Sequence, residues 1–192
     1  MIRGHMTALL FEGSSLLLQG TLFDDHVEQL GKLGNGEAQL QRFSSSIRQA
    51  FAAFDNEGAL LVVEGDIGET FSPAARTDAM GRVLVLAKET IRRNDIAELL
   101  DADTIVICLP GSGRIGMTRV ADALRQRIWG ASQASGAEHR IPTVTIGAVH
   151  TTESHLVDID ELLLHARVNL DAARAAGGNR TNWSDWTELR AT

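Results

Sequence analysis

Residues 92–110 read Arg-Arg-Asn-Asp-Ile-Ala-Glu-Leu-Leu-Asp-Ala-Asp-Thr-Ile-Val-Ile-Cys-Leu-Pro. Two largely apolar runs, Ile96–Leu100 and Ile105–Leu109, flank the polar segment Asp101–Thr104. Short apolar runs that are separated by a few turn-forming residues are typical of a β-hairpin. The stretch therefore predicts a hairpin that is preceded by a polar turn.

The rest of the chain carries helical and strand patterns around this hairpin. Apolar residues at helical spacing predict helices, and short apolar runs predict buried strands. The predicted elements are a helix over about 37–54, a strand over Ala59–Val63, a second helix that ends near Arg93, a third helix around Met117–Ile128, a strand over Thr143–Val149 and a fourth helix over Ile159–Ala173. This order predicts an α+β domain in which helices pack on a mainly antiparallel sheet.

Composition and charge narrow the functional classes. The chain has 192 residues, of which 44% are hydrophobic, enough for one domain with a hydrophobic core. No apolar run approaches the ~20 residues that span a bilayer, so we expect no direct membrane insertion. The net charge of -7 argues against a nucleic-acid partner. Because Cys108 is the only cysteine, no disulfide can form within the chain, and a cytoplasmic location is expected.

The ends of the chain are interpreted separately from the domain. Residues 1–6 have the composition of a cloning scar, and residues 7–26 are interpreted as a linker or as the end of an upstream domain. The domain itself is predicted over 27–182, and 183–192 is interpreted as a C-terminal tail. Its tryptophans, Trp183 and Trp186, either cover the edge of the core or mark a protein interface, and the sequence leaves both possibilities open.

The opening stretch resembles the core of GGDEF domains, the family that makes the second messenger cyclic di-GMP from two GTP. In that family an Arg-x-x-Asp element precedes the signature Gly-Gly-Asp-Glu-Phe, and an apolar strand ending in Leu-Pro follows. Arg92 and Asp95 keep the spacing, and Val106–Pro110 is similar to the strand. Thr143–Gly147 resembles the family's Thr-Val-Ser-Ile-Gly, and Ala173–Asn179 resembles its closing Ala-Lys-x-x-Gly-Arg-Asn. The resemblance implies a nucleotidyl-cyclase (GGDEF) fold with a ferredoxin-like core.

The departures from the family lie where the chemistry would take place. The signature has become Asp101-Ala102-Asp103-Thr104-Ile105, and the guanine-reading stretch at about 70–82 is also different. The resemblance implies that one magnesium ligand comes from the end of the first strand, where Glu64 and Asp66 lie, and another from position 104. A divalent cation that bridges triphosphate oxygens needs anionic ligands, and Thr104 is neutral. We therefore expect no catalytic magnesium, no other metal or cofactor, and no cyclase activity.

The Arg-x-x-Asp element implies a binding site for cyclic di-GMP at Arg92 and Asp95. An arginine can contact phosphate oxygens or guanine bidentately, and an aspartate can accept hydrogen bonds from guanine. The plain alternative is an arginine favoured by the helix dipole, followed by a turn aspartate. A second match to the spacing, Arg119 to Asp122, lies within the third helix and is interpreted as a solvated face.

Additional arginines are candidates for the same site. The family's further arginine from the next helix falls near Ala123 in this sequence, so it is missing at its usual position. Arg119 and Arg127 lie one turn on either side, on the same helix face, and are candidates to replace it from a neighbouring copy. Arg93 is a further candidate.

Taken together, these features predict a catalytically inactive GGDEF domain that acts as a cyclic di-GMP receptor, in the style of PopA and PelD. The output is expected to pass through contact with a protein partner or with a second copy of the chain. One alternative is a ligand-free interaction or dimerisation module on the same fold. The third possibility is an active diguanylate cyclase.

Overall fold

The structure is a computed structural model that describes residues 36–68, 71–135, 141–152 and 158–186, with side chains from residue 43 onward. The chain divides into two compact units, Met1–Glu37 and Ala38–Thr192. Glu64, Arg92, Asp95 and Thr104 all belong to the second unit. The interpretations of residues 1–6 and 7–26, and the predicted start of the domain at residue 27, lie outside the described residues.

The order of helices and strands in the described residues agrees with the sequence prediction up to the fourth helix. The elements are α1 (Gly36–Ala52), β1 (Gly58–Gly65), α2 (Pro73–Thr90), β2 (Ile96–Leu99), β3 (Thr104–Pro110), α3 (Arg114–Ala134), β4 (Val144–Thr151), α4 (Ile159–Ala175) and β5 (Thr181–Asp185). None of these helices combines the length and apolar character needed to cross a membrane.

The five strands form one sheet in the order β2-β3-β1-β4-β5. β1 is the central strand and runs antiparallel to both neighbours, so that Leu61 pairs with Ile107 on one side and with Ala148 on the other. β2 is antiparallel to β3, and β5 is parallel to β4. The first four strands have the arrangement of a ferredoxin-like core, which confirms the predicted α+β class with a mainly antiparallel sheet.

Helices cover both faces of the sheet, and this explains the continuous apolar runs of the central strands. Ala59–Val63 and Ile105–Leu109 are completely buried, as expected for strands without a solvent-facing side. The face under α2 and α3 buries Met80, Val83, Met117, Leu124 and Ile128. The opposite face, under α1 and α4, buries Phe43, Ile47, Phe51, Leu162 and Leu170.

The approach of α4 to β4 is close enough to require a glycine at position 147. A Cβ atom on Gly147 would lie 2.0 Å from the carbonyl oxygen of Ala166 and 2.2 Å from the backbone nitrogen of Leu170. Both contacts are with helix backbone, which cannot move aside by a change of side-chain rotamer. Gly147 therefore lets the backbone of α4 rest directly on the strand.

The C-terminal boundary differs from the sequence prediction. β5 extends to Asp185, so the segment interpreted as a tail from residue 183 begins inside a strand. Trp183 packs against the core on the α2–α3 face, and Trp186 is 3% exposed on the opposite face. Both tryptophans cover core edges, in agreement with the first of the two possibilities that the sequence left open. The prediction missed β5 because Thr181–Asp185 contains no apolar run, and its pairing with β4 is a long-range contact.

We predict that Gly147→Ala lowers the free energy of unfolding by roughly 3 kcal/mol or more, because a Cβ there overlaps the backbone of α4. Gly130→Ala is the matched control. A Cβ at Gly130 in α3 would meet no atom of another described segment within 4 Å, so alanine should raise the free energy of unfolding by ~0.5–1 kcal/mol through helix propensity. Urea unfolding followed by circular dichroism measures both changes. Wild-type stability in Gly147→Ala would contradict the close approach of α4 to β4.

Candidate functional site

The first candidate site lies at the end of β1, where Glu64 pairs across the sheet with Thr104 of β3. The Glu64 carboxylate forms an ion pair with the guanidinium of Arg174, near the C-terminal end of α4. Arg174 Nη1 also donates to Asp171 Oδ1 over 2.8 Å. Burial raises the pKa of the Glu64 carboxyl above its usual value, and Arg174 offsets part of that rise. Glu64 thus already has a cationic partner within the chain.

The second carboxylate at this end of the sheet, Asp66, accepts hydrogen bonds from three separate groups. The Thr143 hydroxyl donates to Oδ2 over 2.6 Å, the Thr145 hydroxyl donates to Oδ1 over 2.5 Å, and the backbone N–H of Asn179 donates to Oδ2 over 3.2 Å. These bonds join the end of β1 to the start of β4 and to the turn after α4. Asp66 is therefore a structural link between three segments.

The loop of the β2–β3 hairpin, which occupies the place of the family signature, is attached to the first turn of α2. Arg76 Nη1 lies 3.1 Å from Asp103 Oδ2, and the Asp103 N–H donates to Asp101 Oδ1 over 2.9 Å. The Gly65 N–H donates to the Asp103 carbonyl over 3.2 Å. The helix α2 begins at Pro73 because the Ser72 hydroxyl caps its N-terminus. The stretch that corresponds to the family's guanine-reading segment contains the start of this helix, and its Arg76 holds the hairpin loop.

A second arginine of α4, Arg167, belongs to the same group of charges. Burial lowers the pKa of Arg167, while the nearby carboxylates of Asp101 and Glu64 counteract this shift. Arg167 and Arg174 together bring two positive charges to a region that holds several carboxylates. Three arginines, Arg76, Arg167 and Arg174, thus offset part of the negative charge at this end of the sheet.

The residues at this end of the sheet do not fit the magnesium ion that the family resemblance implies. Thr104 is neutral and 4% exposed, Glu64 is paired with Arg174, and Asp66 accepts hydrogen bonds from the fold. Within the described ranges, no group of three or more histidine, cysteine or acidic residues is arranged to hold a metal. A hard divalent cation requires several oxygen ligands, and this donor set does not supply them.

The second candidate site is the turn between α2 and β2, which contains Arg92 and Asp95. The Arg92 N–H donates to Asp95 Oδ2 over 2.7 Å, and the Asp95 N–H donates to the Arg92 carbonyl over 3.1 Å. Partial burial raises the pKa of Asp95, although the hydrogen bond and the charge of Arg92 oppose the rise. Asp95 therefore fixes the turn. The Arg92 guanidinium is exposed and makes no hydrogen bond or ion pair with the described part of the chain.

Arg127, one of the additional candidate arginines, is held next to this turn by its contacts with Glu89. Arg127 of α3 donates from Nη1 to the carbonyl oxygen of Glu89 over 3.4 Å and forms an ion pair with the Glu89 carboxylate. Glu89 lies in the last turn of α2, three residues before Arg92. Arg119 is exposed and lies eight residues before Arg127 on α3, or ~12 Å along the helix, and no contact connects it to the turn. Arg93 is exposed within the turn itself.

The sequence analysis missed three arginines that define the first site, Arg76, Arg167 and Arg174. For Arg174 a signal existed, because it follows Ala173 at the lysine position of the family's closing motif. Asp171 also lies three residues earlier on the same helix face. Arg76 and Arg167 carry no comparable local pattern, since their partners are far away in the sequence.

The comparison with solved structures decides the fold. The active GGEEF domain of a diguanylate cyclase from Vibrio cholerae matches over 74% of this chain and 94% of its own, with a TM-score of 0.64 and 16% sequence identity. The chain has the fold of a GGDEF domain. No protein-family model and no curated protein matches the sequence.

Two further GGDEF-fold structures are similar to this chain. The GGDEF domain of DgcB from Caulobacter crescentus, solved in complex with c-di-GMP, matches over 74% of this chain and 86% of its own, with a TM-score of 0.54 and 16% identity. The diguanylate cyclase SiaD from Pseudomonas aeruginosa, solved with its activator SiaC, matches over 88% of this chain and 76% of its own, with a TM-score of 0.56 and 13% identity. At these identities the likeness concerns the GGDEF fold alone.

We predict that Arg174→Ala lowers the free energy of unfolding by ~1 kcal/mol at about pH 7 and by less at about pH 4. Without Arg174 the pKa of Glu64 rises further, so the fold favours the protonated carboxyl. A carboxyl group whose pKa is raised by folding contributes to the free energy of unfolding at low pH. That contribution is lost as the pH increases through the pKa of the group in the folded state. Urea unfolding at both pH values measures the effect.

The control for this prediction is the same substitution in a Glu64→Gln background. Without an ionisable group at position 64, the cost of Arg174→Ala should differ less between the two pH values than in the otherwise wild-type chain, and the difference that is left comes from the second partner, Asp171. If Arg174→Ala lowered the free energy of unfolding equally at both pH values in the otherwise wild-type chain, Glu64 would not be the partner through which Arg174 stabilises the fold.

Proposed function

We propose that this chain is a catalytically inactive GGDEF-fold domain that binds cyclic di-GMP at the turn carrying Arg92 and Asp95, as a receptor in the style of PopA and PelD. The observation that carries the proposal is the exposed Arg92 guanidinium, which makes no hydrogen bond or close ion pair with the described residues and lies on a turn that Asp95 fixes. An exposed arginine on a fixed turn is available to an anionic ligand, whereas the arginines at the acidic end of the sheet already face carboxylates of the chain.

The chemistry of the ligand suits this turn. Cyclic di-GMP presents two phosphodiesters and two guanines, and guanidinium groups bind phosphate oxygens by charge-assisted, often bidentate hydrogen bonds. Arg92 would contact one phosphodiester, with Arg93 and Arg127 close to the same turn. Asp95 Oδ2 accepts a hydrogen bond from the Arg92 N–H, which leaves Oδ1 to accept a hydrogen bond from guanine. The complex of the DgcB domain with c-di-GMP supports this choice of ligand for the fold.

The proposed lack of cyclase activity is based on the first candidate site, at the end of β1. An active GGDEF domain would need carboxylates at the end of β1 and in the signature to hold magnesium. Here position 104 is a neutral threonine, and the Glu64 carboxylate is engaged by Arg174. Asp101 replaces the first signature glycine, so a negative side chain lies where the triphosphate would approach.

We predict that the purified chain forms no detectable cyclic di-GMP from GTP and magnesium. Loss of a single oxyanion contact commonly costs ~10²–10³ in rate, and several such contacts are missing here. Thr104→Glu alone should not restore turnover, because Arg174 still pairs with Glu64. Chromatography of the nucleotide products measures this. Magnesium-dependent product formation by the wild-type chain would revive the active-cyclase alternative.

We predict that Arg92→Ala weakens cyclic di-GMP binding at least about tenfold, because each charge-assisted hydrogen bond contributes ~1.5–3 kcal/mol. Calorimetric titration measures the affinity. Arg48→Ala is the charge-matched control, since Arg48 is exposed on α1, on the opposite face of the sheet. Asp122→Ala tests the second Arg-x-x-Asp spacing, and both controls should bind as wild type does. Wild-type affinity in Arg92→Ala would refute the site assignment.

The receptor would transmit its signal through protein contacts, either to a partner protein or to a second copy of the chain. The SiaD structure, solved with its activator, shows a GGDEF-fold protein in such a complex. The competing proposal is a ligand-free interaction or dimerisation module. Calorimetry separates the two, since the ligand-free module takes up no cyclic di-GMP even with Arg92 intact.

A further inference from the structure

The ion pair between Arg127 and Glu89 joins α3 to the last turn of α2. The Arg127 guanidinium contacts both the carboxylate and the backbone carbonyl of Glu89. The two side chains are 44% and 53% exposed. The carbonyl groups at a helix C-terminus carry partial negative charge, which adds to that of Glu89. Arg127 therefore lies at a locally negative position on the surface.

This pair is close to the turn proposed to bind the ligand. Glu89 precedes Arg92 by three residues, and three residues span at most ~11 Å even when fully extended. An arginine side chain covers much of that distance. A phosphodiester bound to Arg92 is consequently within reach of Arg127, but it also approaches the Glu89 carboxylate, which repels it.

We propose, on the basis of the proposed function, that Glu89 competes with the ligand phosphodiester for Arg127 and so sets the affinity of the site. In the free protein Arg127 pairs with Glu89. When a phosphodiester binds at Arg92, Arg127 exchanges the carboxylate for the phosphate oxygens. Exposed ion pairs contribute little free energy, so a ligand that carries two phosphodiesters is able to displace this one. Glu89 is thus an inhibitory residue within the chain.

The experiment compares cyclic di-GMP affinities of full-chain variants by calorimetry at low ionic strength. Glu89→Gln should bind roughly three- to tenfold more tightly than wild type, and Arg127→Ala should bind more weakly. In the double variant, Glu89→Gln should recover only the affinity that direct repulsion of the phosphodiester costs, and less than in the chain that keeps Arg127, because the group that it releases is gone. Raising the salt concentration should reduce the gain in Glu89→Gln, since exposed charges are screened.

Asp78→Asn is the matched control for the loss of one negative charge. Asp78 lies on the same helix and also pairs with an arginine, Arg82, but it is eleven residues before Glu89 and close to the other end of α2. Its substitution should leave the affinity unchanged. A Glu89→Gln variant that binds no more tightly than wild type, while Arg92→Ala still weakens binding at least about tenfold, would overturn the role of Glu89 and leave the receptor intact. If wild type binds no cyclic di-GMP, the receptor itself is wrong.

Discussion

The direct contact between the backbones of α4 and β4 at Gly147 positions most of what surrounds the end of β1. Because α4 rests on the strand without an intervening side chain, its C-terminal turn brings Arg174 to Glu64. The chain then turns back at Asn179, whose N–H donates to Asp66, and continues as β5 beside β4. The ion pair, the Asp66 link and the fifth strand all depend on that one close approach.

α2 connects the two candidate sites. Its first turn holds the hairpin loop through Arg76 and Asp103, and its last turn carries Glu89, next to the exposed Arg92. Between the turn and the hairpin loop lies only β2, four residues or ~13 Å long. The two sites are thus close in space but opposite in their charge balance. At one site arginines of the chain face a larger number of carboxylates, and at the other an arginine remains exposed to solvent.

This difference explains why the proposed function is located at the turn. A nearby positive charge stabilises the ionised form of a half-buried carboxylate such as Glu64, and in this chain Arg174 supplies that charge. The protein as a whole carries a net charge of -7, so an anionic ligand is attracted by local arginines and not by the overall field. Arg92 meets that requirement on a turn whose shape Asp95 maintains.

Local patterns in the sequence were sufficient for the helices, the hairpin, the central strands and the turn of Arg92 and Asp95, because each depends on residues close together in the chain. β5 was not predictable in the same way, since its polar residues become a strand only by pairing with β4. The ion pairs Arg76–Asp103, Arg127–Glu89 and Arg174–Glu64 join residues 27, 38 and 110 positions apart. Spacing along the chain cannot reveal such partners, and only the packing of helices on the sheet brings their charges together.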